Sequence, residues 1–193
     1  IIYVNYSWGV AIGIITDGKL YYGKSGYSGE FGHSTILDNG ILCQCGKLGC
    51  LETEISGWSL VNQFKEAIKE GKHSKIVLDE NSTTLQHHAI IAGALNLEDN
   101  LCVELVSKQS EKMGRYLSII LNIFNPDLLV IGGDFSLLGD YTLLPIQSAL
   151  KKYSLGLVNR DVKLKKSSLG RRAGVIGACC VEKEKMLSSL INN

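Results

Sequence analysis

Apolar spacing of two kinds divides the chain: a β-like opening, then longer stretches that repeat at helical intervals. Ile1 to Tyr6 and Val10 to Thr16 are β-rich apolar runs, and Asp17-Gly18 is a hairpin signal leading into a third run, Lys19 to Lys24. These predict an antiparallel meander. The first residue already lies inside a strand, without methionine, charged lead-in or cap, so the polypeptide reads as a fragment beginning with an element in progress. Ser56 is an N-cap for a helix through Glu70 with Leu60, Val61, Phe64 and Ile68 on its core face and Gly71 as its stop. A polar, irregular stretch to Thr84 precedes a short helix, Thr84 to Leu95, whose His87 and His88 read as a surface pair.

Asn96 or Asp99 caps the longest predicted helix, whose apolar positions run from Leu101 to Phe124 until Asn125-Pro126 ends it. Asp127 to Ile131 is a short buried strand closing on Gly132-Gly133-Asp134. A helix near Leu143 to Tyr153, a strand near Val162 to Lys166 and a last helix from about Arg172 to Leu190 complete the pattern. The small apolar run Ala173 to Ala178 suits close packing on a sheet. Alternation of helix and strand in this half argues for α/β layering.

Composition narrows the class. The 193 residues are 45% hydrophobic with only two prolines and a formal net charge of +1, which suits one domain with a packed core and gives no global reason for nucleic-acid or membrane binding. Apolar runs are broken well before the roughly 18 to 20 residues of a membrane span. Lys163, Lys165, Lys166, Arg171 and Arg172 form a basic cluster that reads as a solvated strand edge.

Candidate chemistry concentrates between Gly29 and Glu52. His33, Cys43, Cys45 and Cys50 are four soft-metal ligands inside eighteen residues, with Gly46 and Gly49 between the last two thiols where a chain wrapping an ion needs positive φ. Three thiolates and one imidazole complete a tetrahedral shell with no open position, so the expected cofactor is structural zinc. No signal peptide points to an oxidising compartment, which argues for free thiols in a reducing cytoplasm; Cys102, Cys179 and Cys180 read as buried thiols. Glu30 and Glu52 stand three residues before the histidine and two after the last cysteine.

The run Glu-x-Gly-His followed by Cys-x-Cys-Gly-x-x-Gly-Cys-x-Glu resembles the signature of the ROK proteins, a family of repressors and sugar kinases. Glu30, Gly32, His33, Cys43, Cys45, Gly46, Gly49, Cys50 and Glu52 fill every signature position. The resemblance covers nearly the whole chain. It implies an α/β fold, the C-terminal lobe of an actin-like, ribonuclease H-like ATPase-superfamily fold of sugar-kinase type, with a mixed sheet packed by helices and a zinc loop over 33–50. Residues 1–193 would form one effector-binding and oligomerisation lobe; the N-terminal lobe and any helix-turn-helix domain are not in this sequence. The resemblance also implies that Glu30, His33 and Glu52 hydrogen-bond the hydroxyls of a small sugar or sugar-phosphate effector. The chemistry agrees, because ionised carboxylates accept from hydroxyls and a metal-bound imidazole keeps one ring N–H to offer.

The family's kinases place a Gly-Thr-Gly segment at the turn that here reads Ser7-Trp8-Gly9, and Trp8 stands in the place of the small hydroxyl residue. Backbone amides of that turn are then less free to close on a phosphate. In a kinase, Gly9, Gly132 and Gly133 would lie at the nucleotide. The catalytic aspartate of an Asn-Asp pair and the Asp-x-Gly-Gly-Thr phosphate loop of those kinases match nothing here, so no catalytic residue is assigned. Two readings follow: the effector lobe of a sugar-responsive repressor, homodimeric or larger, reaching operator DNA through a domain outside this sequence; or the C-terminal lobe of an ATP-dependent sugar kinase. Trp8 favours the repressor.

Overall fold

The computed structural model describes residues 1–79 and 81–191. Its sheet is mixed. Strand β1 (Ile2–Tyr6) pairs antiparallel with β2 (Val10–Thr16), and β2 with the two-residue β3 (Lys19–Leu20). On its other side β1 runs parallel to β4 (Leu128–Gly132), which runs parallel to β5 (Lys163–Lys166), giving the order β3-β2-β1-β4-β5. The predicted meander therefore supplies three of the sheet's five strands, and its third strand stops four residues short of Lys24. Asp17 and Gly18 both take positive φ, 52° and 74°, as a two-residue hairpin needs.

Alternation along β1 buries Ile2, Val4 and Tyr6 and exposes Asn5. Four helices build on the buried side: the short α1 (Glu52–Ile55), α2 (Gly57–Lys69), α3 (Thr84–Ala94) and the 25-residue α4 (Asn100–Phe124). Ser56 caps α2 through a capping box with Ser59, and Thr83 caps α3 through one with Gln86. Asp99, not Asn96, caps α4, and Asn125 ends it at φ 41° before Pro126. Met113, Leu117 and Leu121 of α4 meet Phe64 and Leu60 of α2 and Leu129 and Ile131 of β4 in one fully buried cluster. The last segment holds α5 (Asp140–Tyr153), α6 (Gly156–Asp161) and α7 (Ala173–Ile191). Helix α5 starts three residues before the predicted Leu143, and α6 has no counterpart in the sequence reading. Among the described residues no helix is long and apolar enough to cross a membrane.

Several expectations are corrected. His87 and His88 are buried, at 3% and 4% exposure, because α3 turns one stripe inward and they share it with Ile91, Ala94 and Leu95. Ile68 lies at the edge of α2's apolar face and is exposed. Cys102 is buried, but Cys179 and Cys180 are exposed. The run at the start of α7 does not pack on the sheet: Val175 is 70% exposed, since its composition asks for a partner without saying where one lies. The basic cluster does lie on edge strand β5 and the turn after it, with all five residues exposed.

Candidate functional site

Phe31 is buried and anchors a 3-10 turn, Phe31–His33, that sets the histidine at the start of the cysteine loop. The loop then turns tightly. The Cys43 N–H donates to the Lys47 carbonyl at 2.8 Å and the Gly46 N–H to the Cys43 carbonyl at 2.9 Å, while Gly46 and Gly49 take φ of 86° and 74°. At Gly49 a side chain would run into the Leu37 carbonyl, so only glycine lets the chain pass there to Cys50.

The result brings all four predicted ligands together. One atom from each of His33, Cys43, Cys45 and Cys50 lies within 4.8 Å of the others. Cys43 Sγ is 3.6 Å from His33 Nδ1, and the sulfurs of Cys45 and Cys50 are 3.5 Å apart. A disulfide is excluded at that separation. Both values match the edges, about 3.5 to 3.8 Å, of a tetrahedron with metal–sulfur bonds of about 2.3 Å and metal–nitrogen bonds of about 2.0 to 2.1 Å. Burial, then hydrogen bonding to and charge on the other two sulfurs, pushes the Cys50 thiol up to about 12, whereas the Lys47 backbone N–H holds Cys45 low. Three sulfurs and one imidazole nitrogen gathered this closely could hold a metal ion.

The imidazole faces two ways. Its Nδ1 points at the sulfurs and its Nε2 lies 3.9 Å from Glu30 Oε2, with the Glu30 side chain 56% exposed. Glu52 differs: it is buried, its Oε2 accepts from the Val10 N–H at 3.1 Å and its Oε1 from the Trp58 indole N–H at 3.2 Å. The same carboxylate lies against two glycines, since a Cβ on Gly9 or Gly32 would come within 3.0 or 3.1 Å of Oε2. Gly32 neighbours His33 in the chain, so Glu52 sits beside the histidine turn and beneath the Ser7-Trp8-Gly9 turn at once.

That turn is closed by its own chain. The Gly57 N–H donates to the Ser7 carbonyl at 2.9 Å, the Ser7 hydroxyl donates to Asp134 Oδ2 at 2.7 Å, and the Trp8 ring meets His88 edge-on at 6.3 Å. Arg171 Nε donates to the other Asp134 oxygen at 3.3 Å. Gly132 and Gly133 end β4 beside this turn, where any side chain would collide with the Tyr3 ring and the Tyr6 backbone. Packing within the chain is thus reason enough for both glycines. Trp58 escaped the sequence reading, and His88 entered it only as one of a surface pair. Gly132-Gly133-Asp134 was visible as a motif, but nothing local marked its acid as the partner of Ser7.

Comparison with known proteins places these features in a group. The ROK family model matches residues 1–185. The chain is 32% identical over 188 residues to a xylose repressor of Caldicellulosiruptor bescii, covering 97% of this chain and 47% of that protein. It is also 32% identical over 178 residues to a glucokinase of Halalkalibacterium halodurans, covering 92% and 54%. Among solved structures, a ROK family glucokinase from Streptomyces griseus in complex with glucose and AMPPNP superposes with a TM-score of 0.79 at 29% identity, over 93% of this chain and 59% of that one. A ROK family transcriptional regulator, a homolog of the E. coli MLC protein, gives 0.75 at 29% identity, over 86% and 41%. The chain thus spans about half the length of the curated relatives it matches. Its mixed sheet and packed helices are the sugar-kinase-like fold of these proteins, into which an actin-like ATPase fold fits, and with the family signature complete from Glu30 to Glu52 the chain belongs to the ROK family.

Proposed function

We propose that this chain is the sugar-binding effector and dimerisation lobe of a ROK-family transcriptional repressor, with structural zinc organising the sugar site. Zinc suits a donor set of three thiolates and one imidazole, and when bound it fixes the loop without supplying an open coordination position. His33, Cys43, Cys45 and Cys50 hold it. The imidazole, bound through Nδ1, keeps Nε2 toward the sugar beside Glu30, and Glu52 completes the hydroxyl-binding set. Sugar occupancy shifts the protein between states of different operator affinity, through a DNA-binding part outside this sequence. A reducing cytoplasm keeps the thiols available.

The observation that carries the repressor reading is the Ser7–Asp134 hydrogen bond. In the family's kinases the turn at Ser7 contacts nucleotide phosphates and the segment at Gly132-Gly133 lies beside adenosine. Here the two are tied to each other, so the turn is closed by its own chain where a phosphate would have to enter. A second reading, the C-terminal lobe of an ATP-dependent ROK sugar kinase, glucokinase or N-acetylhexosamine kinase in type, is supported by the glucokinase relatives and the AMPPNP-bound neighbour. The intact protein decides. Sugar-dependent release from operator DNA, with no sugar phosphorylation from ATP, is the expected result; phosphorylation at ordinary enzymatic rates rejects the repressor.

A further inference from the structure

Trp58 is the residue of the site whose position no signature motif explains. It lies in the first turn of α2, 9% exposed, six residues beyond Glu52 and across the Ser56 break between α1 and α2. Ser56 and Ser59 fix that break by capping each other's backbone N–H, and Gln109 of α4 donates to the Ser59 hydroxyl at 2.8 Å. The indole is therefore held by a helix start that is itself bolted to the scaffold helix. From there its Nε1–H reaches back to Glu52 Oε1 at 3.2 Å while the Val10 N–H takes Oε2 at 3.1 Å.

A carboxylate at 7% exposure is costly unless its oxygens are hydrogen-bonded, and two donors on different oxygens fix its rotation as well as its charge. With one N–H already on each oxygen, the lone pairs that remain can only accept. The ligand group they meet must be a donor.

We propose that Trp58 is a positioning residue of the sugar site: its indole N–H locks Glu52 so that the carboxylate presents acceptors to a neutral sugar hydroxyl. This rests on the sugar reading above and deepens it. The orientation is set before the ligand arrives, so binding does not have to freeze a Glu side chain. A phosphate or carboxylate oxygen of an effector, having no proton to give, is excluded from the Glu52 position and must sit elsewhere.

Calorimetry on the intact protein with a panel of neutral aldohexoses, aldopentoses and N-acetylhexosamines tests it through a double-mutant cycle. Trp58→Phe keeps the ring and removes the N–H; it is expected to weaken the best sugar about 10- to 100-fold, the scale of a lost hydrogen bond to a charged group. In a Glu52→Ala background the same change should alter affinity less than about twofold. Equal losses in both backgrounds mean Trp58 only supports the fold and overturn the proposal, as does Trp58→Phe binding like the unaltered protein. Trp58→Phe removes one indole signal, so 5-fluorotryptophan NMR of the unaltered intact protein, with the Trp58 resonance assigned by its loss in that variant, gives a readout independent of the variant's folding. The Trp58 resonance should shift on sugar addition with the calorimetric Kd, and a Trp58 signal blind to sugar overturns the proposal. No binding of any sugar, or binding that ignores Glu52→Ala, defeats the sugar reading and this inference together. Binding that needs Glu52 but not Trp58 defeats this inference alone.

Discussion

Ser7 donates its hydroxyl to the Asp134 carboxylate at 2.7 Å across 127 residues of sequence, joining the turn after β1 to the turn after β4. These turns end neighbouring parallel strands, so the bond spans the carboxyl end of the sheet, where open α/β folds take their ligands. Ser7→Ala removes the donor and leaves Asp134 its Arg171 contact, so a loss of about 1 kcal/mol in urea denaturation is expected. Neither the protein nor this variant should bind AMPPNP with a Kd below about 1 mM in calorimetry. Micromolar binding by the unaltered protein would mean the turn opens freely, and the repressor reading would lose its main support.

The metal loop makes a separate demand. Cys43 and Cys50 are buried, so their thiolates need a cation to offset the charge they would carry away from water. Cys45→Ser removes one of four ligands at the most exposed position. Elemental analysis should find about one zinc per chain in the unaltered protein and none in the variant after mild chelation, with stability reduced by several kcal/mol. A protein purified without zinc whose melting ignores chelator would dismiss the metal.

Glu30 and His33 should separate the two roles of this loop. Glu30 touches no sulfur, so Glu30→Ala is expected to keep zinc and to weaken sugar binding about 10- to 100-fold. His33→Ala should lose both, because one ring serves the cluster and the ligand. Metal analysis and calorimetry on the same two samples check the split, and a Glu30→Ala protein with undiminished sugar affinity removes Glu30 from the site.

The metal loop was legible in sequence because chelation needs ligands close together along the chain, and four of them with glycines between have few other uses. Helices α2 and α4 were legible for the same local reason, a period and a cap at Ser56 and Asp99. The parallel pairing of β1 with β4 was not, since Val4 and Ile131 carry no mark of each other. His87 and His88 misled because polar residues were read as surface, although their spacing to Ile91 puts them on the inward stripe. The role of Glu52 was read from the family signature alone. Its partners Trp58 and Val10 depend on where α2 starts and on a backbone N–H, neither of which a motif encodes.

Asp99 links the loop at Ser74 and Lys75 to α4. Its carboxylate accepts from the Cys102 N–H at 2.8 Å, the Ser74 hydroxyl at 2.8 Å and the Lys75 N–H. Burial raises its pKa, but these donors outweigh that and hold it below the usual carboxylate range. The stability it contributes is present above the ordinary value near 3.9 and is lost as pH falls through the lower folded value. Asp99→Ala should cost about 2 kcal/mol at pH 7 in urea denaturation, with the gap to the unaltered protein closing in strong acid. A gap independent of pH would show that the charge is irrelevant to the cap.

His88 gives the opposite end of the pH scale a handle on the closed turn. Its Nε2 is buried with no hydrogen-bond partner among the described residues, and its ring packs between Trp8 and Phe135, 6.3 and 5.4 Å away. Burial holds the imidazole below its ordinary range; the Asp134 charge pulls it up and Arg171 pushes it down again. The unfolded chain takes up a proton near pH 6.5 that the folded chain still refuses, so stability is whole above that point and falls as pH drops from there toward the folded value. His88→Phe keeps an aromatic ring against Trp8 and has nothing to titrate. Thermal melts of the unaltered protein should therefore fall between about pH 7 and 5, and the slope over that interval should flatten in the variant. Equal slopes would place the proton elsewhere and leave His88 as packing alone.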